Sequence, residues 1–470
     1  MGLYQSLAFE TEKLISDGVL MAGDRLPSVR QVCKSRNVSP VTVTQAYYLL
    51  ESRGLIEARP KSGYFVRARL GQRLHEPEMS HPVSNSTELQ VSDFIFQILN
   101  SVKNPSVVPL GSSFPSPYLF PLDKLGRFLG QAARKFDPIS TVTDLPPGNE
   151  ELRRQIVLRY LSRGAVVPTD EIVITSGAME GLNLCLQAAT SPGDLIAIES
   201  PTFYAGLQAS ERLGLKVIEI PSHPREGISL EALEDALRRY PIKACLLMLN
   251  FANPTGSLVS DARKKYLIDL LGRYDVPLIE DDVYGELYFG SQAPLCSKSE
   301  ARTDHVMHVS SFSKCLAPGY RIGWVAAGRY TEKIVRLKLS TTLATTIPVQ
   351  IAMADFLKNG GYDHHLRRLR QQLAVQESVL IDAVERYFPP ESKLARPVGG
   401  YFMWIGLPDQ VDALKLHKMA LDQGISIAPG PIFSAKREFA NCIRLNYGYP
   451  DSVQQQAAIA TLGRLISAQL

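Results

Sequence analysis

Ser310-Ser311-Phe312-Ser313-Lys314-Cys315-Leu316-Ala317-Pro318-Gly319-Tyr320-Arg321-Ile322-Gly323-Trp324 is the stretch whose reading decides the fold. Lys314 is flanked by two hydroxyls, Ser311 and Ser313, and followed seven residues on by Arg321. A lysine amine can form an imine with an aldehyde cofactor. Serine hydroxyls and a guanidinium can hold a phosphate a few ångströms away. An isolated Ser-x-x-Lys would read as an exposed loop lysine, but three further motifs upstream supply what a phosphate-anchored imine site needs.

The segment resembles the pyridoxal-phosphate lysine segment of fold-type-I aminotransferases. Asn253-Pro254-Thr255-Gly256 follows the apolar run Cys245 to Phe251, a buried strand ending in a turn. In the resemblance Asn253 donates to the phenolic oxygen of pyridoxal. Val276 to Tyr284 is a second strand running into Glu280-Asp281-Asp282. A carboxylate at a strand's carboxyl end can pair with a pyridinium nitrogen and keep the ring an electron sink. The Asp-x-x-Tyr pattern of these enzymes assigns Asp281 to the nitrogen and Tyr284 to the phenolic oxygen. Alone, the Asp pair would also read as a helix N-cap or surface turn.

Glu171 to Glu180 reads as strand, glycine turn and helix start, with Gly177 at the turn. Backbone N–H groups at a helix N-terminus bind an anion without side-chain help. Many aminotransferases place polar side chains after this glycine, whereas here Ala178 and Met179 follow. Phosphate binding is therefore expected from backbone amides, the two serines and Arg321. In Glu199-Ser200-Pro201-Thr202-Phe203-Tyr204, spacing from the proline favours Phe203 as the aromatic face against the ring, with Tyr204 second. Cys442-Ile443-Arg444-Leu445-Asn446 puts one arginine in a strand-like segment. A guanidinium fork matches a carboxylate bidentately, and the resemblance makes Arg444, with Asn253, the binder of a substrate carboxylate. It covers about Val108 to Leu470 and extends to Pro397–Trp404 and Ala428–Phe433. Its fold is a large α/β domain with a small α+β domain.

The chain has 470 residues, enough for about three structural units. No apolar run is long enough to span a bilayer, and Met1 to Glu10 lacks a signal-peptide pattern. The six cysteines are scattered without a Cys-x-x-Cys pair, so no metal site is expected and a reducing, cytoplasmic setting fits. His364-His365 reads as surface. Residues 1–70 hold ten Lys/Arg and six Asp/Glu, and the remaining 400 hold 41 of each. The excess positive charge sits at the N-terminal end, as nucleic-acid contact requires.

Leu3 to Val19 is helical in spacing. Pro27-Ser28 starts a short helix to about Arg36, and a turn at Asn37-Val38-Ser39 leads to a helix from Pro40 to about Arg53. Leu55–Arg59 and Tyr64–Arg67 alternate as strands around Pro60-Lys61-Ser62-Gly63. This is a winged helix-turn-helix, whose second paired helix enters the major groove of double-stranded DNA. Gly23-Asp-Arg-Leu-Pro-Ser-x-Arg30 and the wing resemble the GntR-type DNA-binding domain. That resemblance makes Arg25 and Arg30 phosphate contacts and Ser39, Val41 and Thr42 recognition-helix contacts. Lys61 lies at the wing tip, and Gly63 lets the wing approach. Pro40 stands where some members carry a base-reading arginine.

Leu70 to Thr87 reads as a flexible connector, and Val91 to Leu99 as a docking helix. The expected organisation is a DNA-binding head over 1–70, a linker with docking helix over 71–107 and a pyridoxal-phosphate module over 108–470. This order resembles the MocR/GabR subgroup of GntR regulators. It implies a homodimeric transcription regulator that senses a small amine, an amino acid or a cofactor-derived effector through an aldimine at Lys314. Thr143 stands where many relatives place a tyrosine that reaches the neighbouring subunit's phosphate. The other reading, an active aminotransferase with an accessory head, stays open because the catalytic groups Lys314, Asp281 and Tyr284 are retained.

Overall fold

The computed structural model describes residues 3–16, 19–21, 23–52, 55–59, 63–66, 74–83, 85–100, 106–290, 292–300, 304–359 and 361–470. Lys61 and the expected boundary at residue 70 lie outside them. The head consists of α1 (Leu3–Ser16), α2 (Val29–Arg36), α3 (Pro40–Ser52) and a hairpin of β1 (Ile56–Arg59) with β2 (Gly63–Val66). Ser28 starts α2 through a reciprocal capping box with Gln31, satisfying two backbone donors that a helix end leaves open. Asn37, in left-handed conformation, ends it. Ala8, Val32, Val43, Ala46, Tyr47, Leu50 and Val66 form the head's own core. The Tyr47 hydroxyl donates to the Pro27 carbonyl at 2.6 Å, tying α3 to the start of α2.

The large sheet is built from β3 (Thr87–Glu88), β4 (Ile172–Thr175), β5 (Leu195–Ser200), β6 (Lys216–His223), β7 (Gly227–Ile228), β8 (Ile242–Leu247), β9 (Leu278–Asp281), β10 (Val306–Ser311) and β11 (Gly323–Ala326). Its order is β3-β6-β5-β8-β9-β10-β11-β4, with β7 beside β6. The run from β6 to β10 is parallel, and β11 is antiparallel to both of its neighbours, β10 and β4. Its parallel strands are apolar on both faces, β5 wholly buried, as helices covering both sides require. The small sheet, order β12-β13-β15-β14, comprises β12 (Lys393–Leu394), β13 (Phe402–Gly406), β14 (Ala428–Pro429) and β15 (Cys442–Asn446). Ligands in open parallel sheets sit beyond the carboxyl ends of strands, and Ser200, Asp281 and Ser311 all stand at such ends.

The connector is fastened over its described part, which differs from the flexible tether expected from its composition. The His75 carbonyl accepts from the Leu394 amide at 2.7 Å, on the small sheet. Glu78 pairs with Lys393 at 3.2 Å. Glu76 pairs at 2.7 Å with Arg225, in the turn between β6 and β7, and on the large sheet the Ser80 hydroxyl donates to the Ser200 carbonyl and accepts from the Ser222 amide. These polar contacts, invisible in composition, replace the missing apolar periodicity. The strap bridges a cleft of about 490 Å³ lined in part by Ser80, Pro201, Ser222, Thr255, Lys393 and Trp404. Further on, α4 (Ser92–Asn100) packs against helix Tyr204–Arg212, where the Glu211 carboxylate accepts from the Val91 and Ser92 amides. Among the described residues, no helix is long and apolar enough to cross a membrane.

Candidate functional site

Lys314 lies just past the carboxyl end of β10, in a turn closed by Phe312–Leu316 and Phe312–Ala317 backbone bonds. Its ammonium donates to the Ser113 carbonyl at 3.0 Å and sits 3.7 Å from the centre of the Phe114 ring. Burial, only partly countered by the charge of Asp281, lowers its amine to about 7. Asp281 ends β9 close by. Burial raises its carboxyl to about 7, Lys314 pulls it back, and the like charge of Asp282 adds to the rise. One of its oxygens, Oδ1, is buried without a partner.

The two adjacent aspartates have opposite surroundings. The Asp282 carboxylate accepts from Arg163 at 3.0 Å, from Asn250 at 3.0 Å and from His308 Nε2 at 3.0 Å. Burial alone would raise it, but the guanidinium and the other donors hold it well below the usual carboxylate range. Trp324 Nε1, a donor only, bonds the Tyr160 hydroxyl at 3.0 Å, and that hydroxyl reaches His308 Nδ1 at 2.7 Å. The chain therefore runs from tryptophan through tyrosine and histidine to Asp282. Glu280, Asp282 and His308 have ligand-type atoms within 4.8 Å of one another, but Arg163 already supplies the positive charge there.

Gly177 lies at the N-terminus of helix Ala178–Ala189 with φ +86° and ψ 168°, a region held almost solely by glycine. A Cβ there would come within 2.8 Å of Arg321 Cζ, and closer still to a terminal nitrogen. Arg321 donates to Ser313 Oγ at 3.2 Å and to the Ser176 carbonyl at 3.3 Å. The Ser311 hydroxyl accepts from the Ser313 amide at 3.3 Å. Helix start, Ser311, Ser313 and Arg321 thus converge at one corner. Ala178 and Met179 are half-buried beside it.

Asn253 and Tyr284 are buried, and Tyr284 packs edge-on against Tyr401 and Phe402. The Asn253 carbonyl oxygen accepts from Arg444 at 2.8 Å, while its buried amide nitrogen has no partner. Arg444 is fully buried on β15, lies over Phe402 at 4.2 Å and also donates to the Gly111 carbonyl at 2.6 Å. Phe203 is half-buried and precedes helix Tyr204–Arg212, and the hydroxyl of buried Tyr204 meets Ser113 Oγ at 2.7 Å.

Among the buried side-chain atoms without a partner, Asn253 Nδ2 is a donor and Asp281 Oδ1 an acceptor. They match the phenolic oxygen and protonated ring nitrogen of a pyridoxal group, and the Gly177–Arg321 corner matches its phosphate. The residues therefore fit that cofactor.

Ser113-Phe114-Pro115 marks the opening of the module in the sequence, but its contact with Lys314 does not show there. Its Ser113 carbonyl also accepts from Tyr401 at 3.2 Å, and a backbone carbonyl leaves no motif. His365 is a correction: it is buried in helix Gly361–Tyr387, where its Nε2 bonds the Cys315 carbonyl at 2.7 Å, while His364 is exposed. Thr143 is exposed at the end of helix Ser140–Thr143. In the head, Arg25, Arg30, Ser39 and Val41 are exposed and Thr42 is half-buried. The Arg25 guanidinium lies alongside Gly63, whose φ is +102°.

The family described as aminotransferase class I and II matches residues 131–460, and that of bacterial regulatory proteins, gntR family, matches 3–66. The chain is 46% identical to the HTH-type transcriptional regulator YdcR of Escherichia coli K12 over 100% of both chains. It is 39% identical to YjiR of the same strain over 99% of each. Among solved structures, Pyrococcus horikoshii kynurenine aminotransferase in complex with PMP aligns with TM-score 0.75 and 30% identity, over 82% of this chain and 96% of that one.

Proposed function

Because the chain belongs to the aminotransferase class I and II family, takes pyridoxal 5′-phosphate and carries a gntR-type DNA-binding head in the MocR arrangement, we propose that it is a transcription regulator whose cofactor module senses a small amine or amino acid. The reading includes a cytoplasmic homodimer with a head over 1–70, a connector over 71–107 and a sensing module over 108–470. The observation that carries it is the strap: the connector leaving the head is tied to both sheets that flank the cofactor site.

Bound pyridoxal 5′-phosphate supplies an aldehyde that condenses with amines and a pyridinium that draws electrons from the attached carbon. The chain's own groups prepare for this. With its amine lowered to about 7, Lys314 is substantially unprotonated at neutral pH and able to attack a carbonyl. Asp281 Oδ1 would accept a hydrogen bond from the protonated ring nitrogen, and Asn253 Nδ2 with Tyr284 would hold the phenolic oxygen. The backbone at Gly177, Ala178 and Met179, with Ser311, Ser313 and Arg321, would hold the phosphate. Phe203 would supply an aromatic face for the ring.

Arg444 is the anchor for an effector carboxylate. It now holds the Asn253 side chain and the Gly111 and Ser112 carbonyls. A carboxylate there would compete with those carbonyls, and an amine taking the place of Lys314 on the cofactor would free the lysine to return to the Ser113 carbonyl that it holds here. Both changes act on residues 111–113, which continue directly from the connector. A ligand shifts such an arrangement only through different affinity for its two states, and about 1–3 kcal/mol of coupling changes DNA affinity roughly five- to 150-fold.

The test is paired. The purified full-length chain is assayed for sequence-preferring DNA binding and for amino transfer between amino donors and keto acids. Selective DNA binding with turnover far below the ordinary enzyme range of about 10 per second supports the regulator. Turnover in that range without selective DNA binding favours the aminotransferase.

A further inference from the structure

The regulator reading leaves open what the head recognises, and the outward face of α3 narrows it. Three exposed residues form a single stripe away from the head core: Val41, Gln45 and Tyr48, spaced four and three apart. Val43, Ala46, Tyr47 and Leu50 occupy the opposite side and are buried. Val41 is 64% and Tyr48 59% exposed. Two apolar or aromatic side chains this open on one short helix stand where a partner would cover them.

The polar groups at the helix start are already engaged. The Ser39 hydroxyl accepts from the Thr42 amide at 3.1 Å and lies 2.8 Å from the Thr42 hydroxyl. The two hydroxyls close the helix end on each other. Pro40, the first helical residue, has no N–H and no polar side chain. The exposed stripe therefore offers one side-chain amide, Gln45, flanked one turn back by the isopropyl group of Val41. Among the described residues Gln45 is exposed and points away from the head core. Elsewhere on the head Arg25, Arg30 and Lys34 are exposed, side chains fit for phosphate contacts.

We propose that Gln45 and Val41 read an A·T-containing step in the major groove, the Gln45 amide pairing with an adenine edge and the Val41 methyls packing on a neighbouring thymine methyl. The chemistry is selective. A glutamine amide presents one donor and one acceptor, matching adenine N7 and N6, while guanine offers two acceptors in the same place. Valine finds an apolar partner in that groove only at the thymine methyl. From Val41 to Tyr48 the helix rises about 10 Å, the rise of about three base pairs. The stripe therefore reads a short core, and Tyr48 lies at its far end. This rests on the regulator reading.

The experiment is selection of bound duplexes from a randomised pool by the full-length chain, for wild type, Gln45→Ala, Gln45→Arg and Val41→Ser. Wild type should enrich a half-site core with adenine and an adjacent thymine. Gln45→Ala should lose about tenfold preference at the adenine alone, with the salt dependence of binding unchanged because no phosphate contact is removed. Gln45→Arg should move that position toward guanine, since arginine matches its two acceptors. Val41→Ser should relax the thymine. Each position is exposed, so the fold tolerates the changes, and circular dichroism checks this. Enrichment of the wild-type sequence by both Gln45 variants overturns the assignment. A guanine-rich core selected by wild type overturns it too. If wild type enriches nothing at all, the regulator reading itself fails, an outcome distinct from both.

Discussion

Gly177→Ala separates a phosphate corner from an ordinary tight turn. The glycine sits at φ +86° and ψ 168°, where a side-chain-bearing residue costs about 1–3 kcal/mol. Its missing Cβ leaves room for the Arg321 guanidinium, whose Cζ is 2.8 Å from where that atom would stand. Gly323 closes the other side, because a Cβ there would meet the Gly177 carbonyl carbon at 2.6 Å. The backbone cannot retreat, so Arg321 must swing away from Ser313 and from the phosphate position. Losing one charge-assisted bond of about 1.5–3 kcal/mol weakens cofactor binding roughly ten- to 150-fold. Equilibrium titration of the apo-protein with pyridoxal 5′-phosphate, followed by absorbance, measures this. A urea midpoint lowered in line with the backbone strain accompanies it. If Gly177→Ala binds the cofactor as tightly as wild type, the corner does not hold the phosphate.

Lys314→Ala should abolish the visible absorption band of the loaded protein and its covalent labelling after borohydride reduction. A labelled variant would place the linkage elsewhere. Arg163→Met leaves Asp282 buried without its main counter-charge, at a cost of about 3–5 kcal/mol near pH 7. In wild type the lowered Asp282 carboxyl stabilises the fold above its unfolded value near 4, and this is lost as pH falls through the folded value. In the variant burial raises the carboxyl, so the penalty grows as pH rises above about 4, and the gap between the two proteins should widen from pH 4 to 7 in urea titrations. A gap independent of pH would contradict the pairing. Ser80→Ala removes the hydroxyl bridging Ser200 and Ser222, worth about 1–2 kcal/mol. Proteolysis within 75–88 should quicken several-fold with the cofactor band unchanged, and unchanged cleavage would mean that Ser80 does not hold the strap.

The groups proposed to hold the cofactor stand out in the sequence because a polar residue at the end of an apolar run is a place with few bland uses. Lys314, Asp281 and Asn253 announce themselves in this way, Gly177 by the turn that it makes between strand and helix, and in the structure Asp281, Arg444 and Arg321 all bear on Lys314, Arg444 holding Asn253 and Arg321 lying against Gly177. Pro27-Ser28 likewise marked the start of α2, while the partnership of Ser28 with Gln31 emerged only in the structure. What escaped depends on contacts far apart in sequence. The Ser113 carbonyl lies 201 residues from Lys314, and Ser80 lies 120 and 142 residues from its partners. His365 looked like part of a charged surface because its neighbours His364, Arg367 and Arg368 are polar. At helical spacing it shares a face with Tyr362, Leu366 and Leu369, which are buried. Ser39 and Thr42 were expected as recognition-helix contacts, and only the geometry of the helix start shows their hydroxyls bonded to each other.

The central claim is that the cofactor site and the DNA-binding head are coupled. The most direct measurement is the affinity of the loaded full-length chain for its selected duplex, at fixed salt, with and without amines and α-amino acids that alter the cofactor spectrum. At least one such compound should change DNA affinity by about fivefold or more, and Lys314→Ala and Arg444→Ala should each blunt that response while still binding the duplex. Equal DNA affinity in the presence and absence of every compound that perturbs the cofactor spectrum would contradict the claim.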